Sequence, residues 1–148
     1  MHVVENPAGR LVTFRINPPV SDENSGRASA DLRAVIVATE GPVIVVSDLS
    51  AARAFSPETT ARFVALMKSD NPKIERSALL LSPDSATLGL QIHRMLKEAA
   101  HPARRAFADA AELSAWLHPL MTTDEREALA TFLVGGRSSS KVHVENAT

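Results

Sequence analysis

Two short segments of this chain put a hydroxyl, a proline and a carboxylate in line: Ser56-Pro57-Glu58 and Ser82-Pro83-Asp84. Three kinds of chemistry suit such residues. A serine next to a base is a nucleophile, an accessible serine accepts phosphate, and a serine ahead of proline and an acid caps a helix. Nucleophilic catalysis lacks its other parts, because there is no Gly-x-Ser-x-Gly elbow and no base and oxyanion donor can be assembled with either serine. Capping accounts for both segments. Serine accepts from an orphan amide, proline suits the first helical position, and the acid complements the positive helix end.

Each segment follows an apolar run of the buried-strand type, Val43–Val46 in one case and Ser77–Leu81 in the other. Two parallel strand-to-helix turns at one end of a sheet form the crevice where α/β domains place their working surface. The residues expected there are Asp48, Ser50, Ser56, Glu58, Ser82, Asp84 and Ser85. With no catalytic constellation among them, the chain reads as non-enzymatic.

Other polar groups suggest less. His93 and His101 stand among Arg94, Lys97, Arg104 and Arg105, a basic cluster of the sort that grips carboxylates or phosphates but more often forms a solvated helix face. Glu98 is five residues past His93, off the three or four that would share a helical face, so no metal site is expected. Neighbouring helix starts offer amides to an anion, yet Glu58 and Asp84 would repel it, and no glycine-rich loop is present. No cofactor is expected.

The apolar side chains carry the second reading. Phe63, Met67, Met95 and Phe132, with Leu96, Leu120 and Met121, either pack solidly or line a space between sheet and helices. In the latter case the chain carries or senses a small non-polar ligand.

Composition frames these alternatives. The chain has 148 residues, enough for one domain with a real core, and it is 45% hydrophobic and 22% charged. A formal charge of −1 gives no electrostatic reason to expect nucleic acid. Cysteine is absent, which excludes thiol chemistry and disulfides. No apolar run approaches the roughly 20 residues of a membrane span, and the N-terminus does not read as a signal peptide. A cytoplasmic protein is expected, with homodimerisation left open.

The elements needed to position these residues follow from periodicity. Val3-Val4 and Leu11–Ile16 flank the turn residues Asn6-Pro7-Ala8-Gly9, predicting an opening hairpin. Ser21–Gly26 reads as loop. Leu32, Val35 and Ile36 mark a helix ended by Glu40-Gly41-Pro42. Val43–Val46 is β-branched throughout, the pattern of a strand covered on both faces. Phe63, Leu66 and Met67 line a second helix, stopping near Asp70-Asn71-Pro72. Leu88, Ile92, Met95, Leu96 and Ala99 line a third, broken at His101-Pro102. Arg104–Ala108 is a short strand. Asp109 caps a helix that turns Leu113, Trp116 and Leu117 inward, and Thr122 with Glu125 has capping-box spacing for a last helix through Leu129, Phe132 and Leu133. Gly135-Gly136 is expected to end a single α/β domain of residues 1–134, leaving 135–148 as a flexible polar tail. The predicted fold is a mixed, mostly parallel sheet with an antiparallel opening hairpin and about five helices.

This order, β-β-α-β-α-β-α-β-α over roughly Val3 to Leu117, resembles the STAS domain of sulfate transporters and anti-sigma factor antagonists. Arg105-Ala106-Phe107 and the Ala111–Leu117 helix, which ends in Trp-Leu, look like those of bacterial STAS-like proteins. The resemblance implies a protein-binding role in bacterial regulation. Phosphorylatable members carry Asp-Leu-Ser and then Asp-Ser-Ser-Gly at the start of the second helix. This chain keeps Asp48-Leu49-Ser50 but has Ser56, Pro57, Glu58 and Thr59 at the second motif. The usual phosphoserine position thus falls on Glu58, either a fixed mimic of the phosphate or a plain helix-start acid.

Overall fold

The computed structural model describes residues 2–18 and 20–146, with their side chains as far as Gly135. Strands β1 (His2–Ala8) and β2 (Leu11–Ile16) form the antiparallel hairpin, and β3 (Val43–Asp48), β4 (Ile74–Leu80) and β5 (Arg104–Phe107) continue the sheet in parallel. The strands lie side by side in sequence order, β1-β2-β3-β4-β5. Helices α1 (Asp22–Ala38), α2 (Pro57–Asp70) and α3 (Ala86–Ala99) make the three crossovers. Because parallel crossovers are right-handed and the strand order always advances one way, all three helices lie on one face. Helices α4 (Ala110–Leu117) and α5 (Thr123–Asn146) then return across the other.

Side-chain alternation divides the core accordingly. Val12, Phe14, Val45 and Leu79 meet Leu32 and Ile36 of α1, Phe63 of α2, and Leu88, Ile92 and Met95 of α3. On the other side Leu11, Ile44, Val46, Ala78 and Phe107 meet Leu113 and Leu117 of α4 and Leu129 and Leu133 of α5. All six residues of β3 are buried, as expected of its apolar run. An advancing strand order also has no reversal, so this sheet has no topological switch point. The strand-end crevice expected from the two capping segments loses that support.

Three local expectations are corrected. Ser21–Gly26 is not loop: Ser21 caps α1 by accepting from the Asn24 amide at 3.0 Å, and Asp22 and Glu23 occupy the first turn. Their polarity reflects a helix start rather than an unstructured stretch. Ser56 caps α2, accepting from the Thr59 amide at 3.1 Å, but Ser82 does not cap α3. It accepts from the Asp84 amide at 3.2 Å instead, and the helix begins only at Ala86. The same three residue types thus start a helix once and close a tight turn once. Finally, α5 runs through Gly135-Gly136 to Asn146, because paired glycines lower helix propensity without removing a backbone donor as proline would. The side chains of the expected tail beyond Gly135 lie outside those described.

Trp116 is half-buried rather than enclosed. Its ring lies 5.5 Å from that of Phe107, with the Arg76 guanidinium 4.6 Å above it. The capping box is reciprocal. The Thr122 amide donates to Glu125 Oε1 at 2.9 Å, and the Glu125 amide donates to Thr122 Oγ1 at 3.2 Å. Glu125 Oε2 also accepts from the Arg10 amide at 2.7 Å, which fastens the hairpin turn to α5. Gly9 in that turn has φ +48°, and a Cβ there would lie 2.5 Å from Glu125 Oε2, so glycine is required for two reasons.

Candidate functional site

The expected strand-end residues do share the C-terminal end of the sheet, but their hydrogen bonds are made locally. Asp48 closes β3 opposite Arg15 and is buried. Its Oδ2 accepts from Arg15 Nε at 3.1 Å, and its Oδ1 from the Ser50 amide and hydroxyl at 3.0 and 2.5 Å. Ser56 Oγ donates to Asp22 Oδ1 at 2.5 Å, and Thr59 Oγ1 donates to the same oxygen at 3.0 Å. These hydroxyls, Ser56 first, hold the Asp22 carboxyl below its ordinary range. Arg62 joins the group through Asp22 O and Ser25 Oγ and pairs with Glu58 at 3.3 Å. Ser82, exposed Asp84 and half-buried Ser85 form the turn before α3. The cluster around Ser56 therefore joins α1 to α2, and Asp48 faces α5.

The other face holds a cavity of about 50 Å3 between the sheet and α1, α2 and α3. Phe14 and Val45 form its sheet wall, Leu32 and Ile36 come from α1, Phe63 and Met67 from α2, and Ile92 and Met95 from α3. The Phe63 ring lies 6.4 Å from Phe14 and 5.6 Å from Phe55, an aromatic corner. Leu49 and Phe55 reach in from the loop after β3. That loop is fixed to α3 by Gln91, whose Oε1 accepts from the Phe55 amide and whose Nε2 donates to the Phe55 carbonyl, both at 2.8 Å. The structure therefore brings Phe63, Met67 and Met95 together as the apolar reading requires. Phe132 is a correction: it lies across the sheet, with the Arg15 guanidinium 4.2 Å over its ring and Arg15 Nη2 bonded to its carbonyl at 2.5 Å.

Polar groups enter the cavity wall at four positions. Ser47 and Ser77 interrupt the apolar inner faces of β3 and β4, and Asp70 and Arg104 lie where α2 ends and β5 begins. Ser77 and Arg104 are register partners. Arg104 donates from Nε to Asn71 Oδ1 and from Nη2 to the Met67 carbonyl, both at 3.0 Å, so it caps the negative end of α2. Burial pushes its pKa down to about 10, against the opposing charge of Asp70. Asp70 is only 6% exposed, yet its carboxyl makes no hydrogen bond or ion pair among the described residues. Burial raises its pKa, opposed by the charges of Arg33 and Arg104.

Of these four the sequence reading singles out only Arg104, within the basic cluster, although two signals mark the other three. Asp70 is an acid in the last turn of a helix, where the dipole disfavours it. Ser47 and Ser77 are hydroxyls directly flanking the apolar runs Val43–Val46 and Ala78–Leu81. Among the described residues no group of histidines and carboxylates is placed to hold a metal ion, and no helix is long and apolar enough to cross a membrane. No family model, curated protein or solved structure matches this chain.

Proposed function

We propose that this protein binds a small, mostly apolar molecule between its sheet and the three crossover helices, as a carrier or sensor without chemistry on the ligand. The observation that carries this reading is the cavity itself. Its 50 Å3 exceeds the roughly 10–15 Å3 one water occupies, and its walls are largely phenylalanine, leucine, isoleucine and methionine. Small-molecule sites combine such walls with a few polar groups. Large exposed apolar residues among the described ones are Val3, Val37, Leu90 and Val134, each on a different element, which gives a protein partner less to grip.

Regulation through a partner, implied by the STAS-like order of elements, is compatible with this reading at one place. Leu49 and Phe55 line the cavity, while Ser50 and Ser56 belong to the same connection and lie at the strand end. A ligand that moved Phe55 would move that loop, which makes the sensor form of the proposal concrete.

Methionine methyl NMR under xenon pressure tests the reading, since xenon enters apolar cavities without specific contacts. The Met67 and Met95 methyls are expected to shift, and the Met121 methyl, across the sheet, is expected to stay in place. Unmoved Met67 and Met95 signals, or equal shifts at all three, would overturn it.

A further inference from the structure

Asp70 and Arg104 are the two charged groups in the cavity wall. We propose that the cavity takes a small apolar molecule ending in a neutral group that both donates and accepts, such as a carboxamide, with its N–H on Asp70 and its carbonyl on Arg104. This inference rests on the binding reading above.

Its support is geometric. Asp70 is more than nine-tenths buried, lines the cavity and has no partner among the described residues, so an acceptor waits there for a donor. Arg104 has committed Nε to Asn71 and Nη2 to Met67, which leaves Nη1 without a hydrogen bond among the described residues. Asp70 and Arg104 feel each other's charge but form no ion pair, so neither satisfies the other.

Charge narrows the choice. Arg33 and Arg104 are the cations that act on Asp70, and together they oppose a cationic ligand. An anionic ligand would meet Asp70 in a buried setting where like charges repel strongly. A neutral amide satisfies both walls without adding charge. The alternative that Asp70 is a structural carboxylate is weakened by its position, since a buried, unpartnered acid at a helix C-terminus destabilises the fold and is retained more readily where it serves a site. Its raised pKa, caused chiefly by burial, fits a carboxylate that lacks donors.

The test uses isobutyramide, isobutyrate and isobutylammonium, one apolar body with three heads, titrated at pH 7 and read by the Met67 and Met95 methyls, with xenon as the headless control. Isobutyramide is expected to bind most tightly. Asp70→Leu is expected to weaken it by at least about tenfold, the usual scale for losing a hydrogen bond to a charged group, with the xenon response of the same variant measured alongside. Asp70→Asn, which keeps size and fold, is expected to weaken the amide less and to narrow its advantage over isobutyrate. Xenon shifts with equal amide affinity in wild type and both variants, or with tighter binding of isobutyrate or isobutylammonium than of the amide, would overturn the anchor while the cavity stood. A missing xenon response in wild type would overturn both.

Discussion

Both faces of the sheet bury carboxylates, and Glu125 and Asp70 are treated in opposite ways. Glu125, 1% exposed on the α5 side, accepts from the Thr122 and Arg10 amides. Burial pushes its pKa up, but those amides, with the Arg10 charge and the Thr122 hydroxyl, outweigh it and hold the group below its ordinary range. Asp70, 6% exposed on the crossover side, has no such donors among the described residues, and burial prevails. Both are acids at helix ends: Glu125 lies in the first turn of α5, where the dipole helps it, and Asp70 in the last turn of α2, where it does not. Burial alone therefore says nothing about a carboxylate's role. What distinguishes structure from site is whether the surrounding chain has already satisfied it.

The largest effect should come from removing the satisfied acid. Glu125→Ala leaves two partly buried amides without acceptors and unfastens the hairpin turn from α5, so a loss of about 2 kcal/mol is expected in urea unfolding. The pH dependence has a definite sign. A depressed folded pKa means the stabilisation is complete above the unfolded value, near the 4.5 of an ordinary glutamate, and is lost as pH falls through the folded one. Gly9→Ala attacks the same contact from the other side and should cost about 2 kcal/mol, because its Cβ needs both a positive φ and the space of Glu125 Oε2. If Glu125→Ala were as stable as wild type, the contrast between the faces would collapse.

The unpartnered acid should respond in the opposite direction. Asp70→Asn is expected to stabilise the protein by about 1 kcal/mol at pH 7, since it removes a largely buried charge that accepts no hydrogen bond among the described residues. A raised folded pKa means that wild type suffers its full penalty above that pKa. The penalty fades as pH falls through it and is gone below the unfolded value, near 3.8. The advantage of Asp70→Asn should therefore shrink steadily on acidification, as thermal melts at successive pH values will show. A destabilised Asp70→Asn would mean that Asp70 serves the fold after all.

These opposite carboxylates also show how much was legible in the sequence. The Thr122–Glu125 box was visible because its two partners lie three residues apart and their spacing states the geometry. The covered strand at Val43 and the stripe of α3 were visible for the same reason, since period and residue type are local facts. The turn at Ser82 is not legible in this way, because Ser-Pro-Asp suits a helix start and a tight turn equally. Asp70 belongs to the helix stop that the sequence predicts. That its carboxyl reaches a cavity shared with Arg104, 34 positions on, is a tertiary fact with no local trace. Phe132 and Phe63 look alike in hydrophobicity, and only the one-way strand order assigns them to opposite faces.

Glu58 offers the finest test, because it is a third acid whose treatment falls between the other two. It stands in the first turn of α2, where the dipole favours it, and it pairs with Arg62 four residues on at 3.3 Å, but its side chain is largely exposed. An exposed pair of this spacing contributes about 0.3–0.5 kcal/mol, and Arg62 keeps its bonds to Asp22 and Ser25 without it. Glu58→Gln should therefore cost no more than about 0.5 kcal/mol, with most of that loss disappearing in 1 M salt, where the Debye length is about 3 Å. It should leave the xenon shifts of Met67 and Met95 unchanged, because Glu58 does not line the cavity. A helix-start acid would behave in that way. A fixed stand-in for phosphate would instead matter to a partner, so Glu58→Gln would reduce capture from the source cell while stability barely moved. Equal capture by Glu58→Gln and wild type would leave Glu58 a structural residue, satisfied at the surface as Glu125 is in the interior.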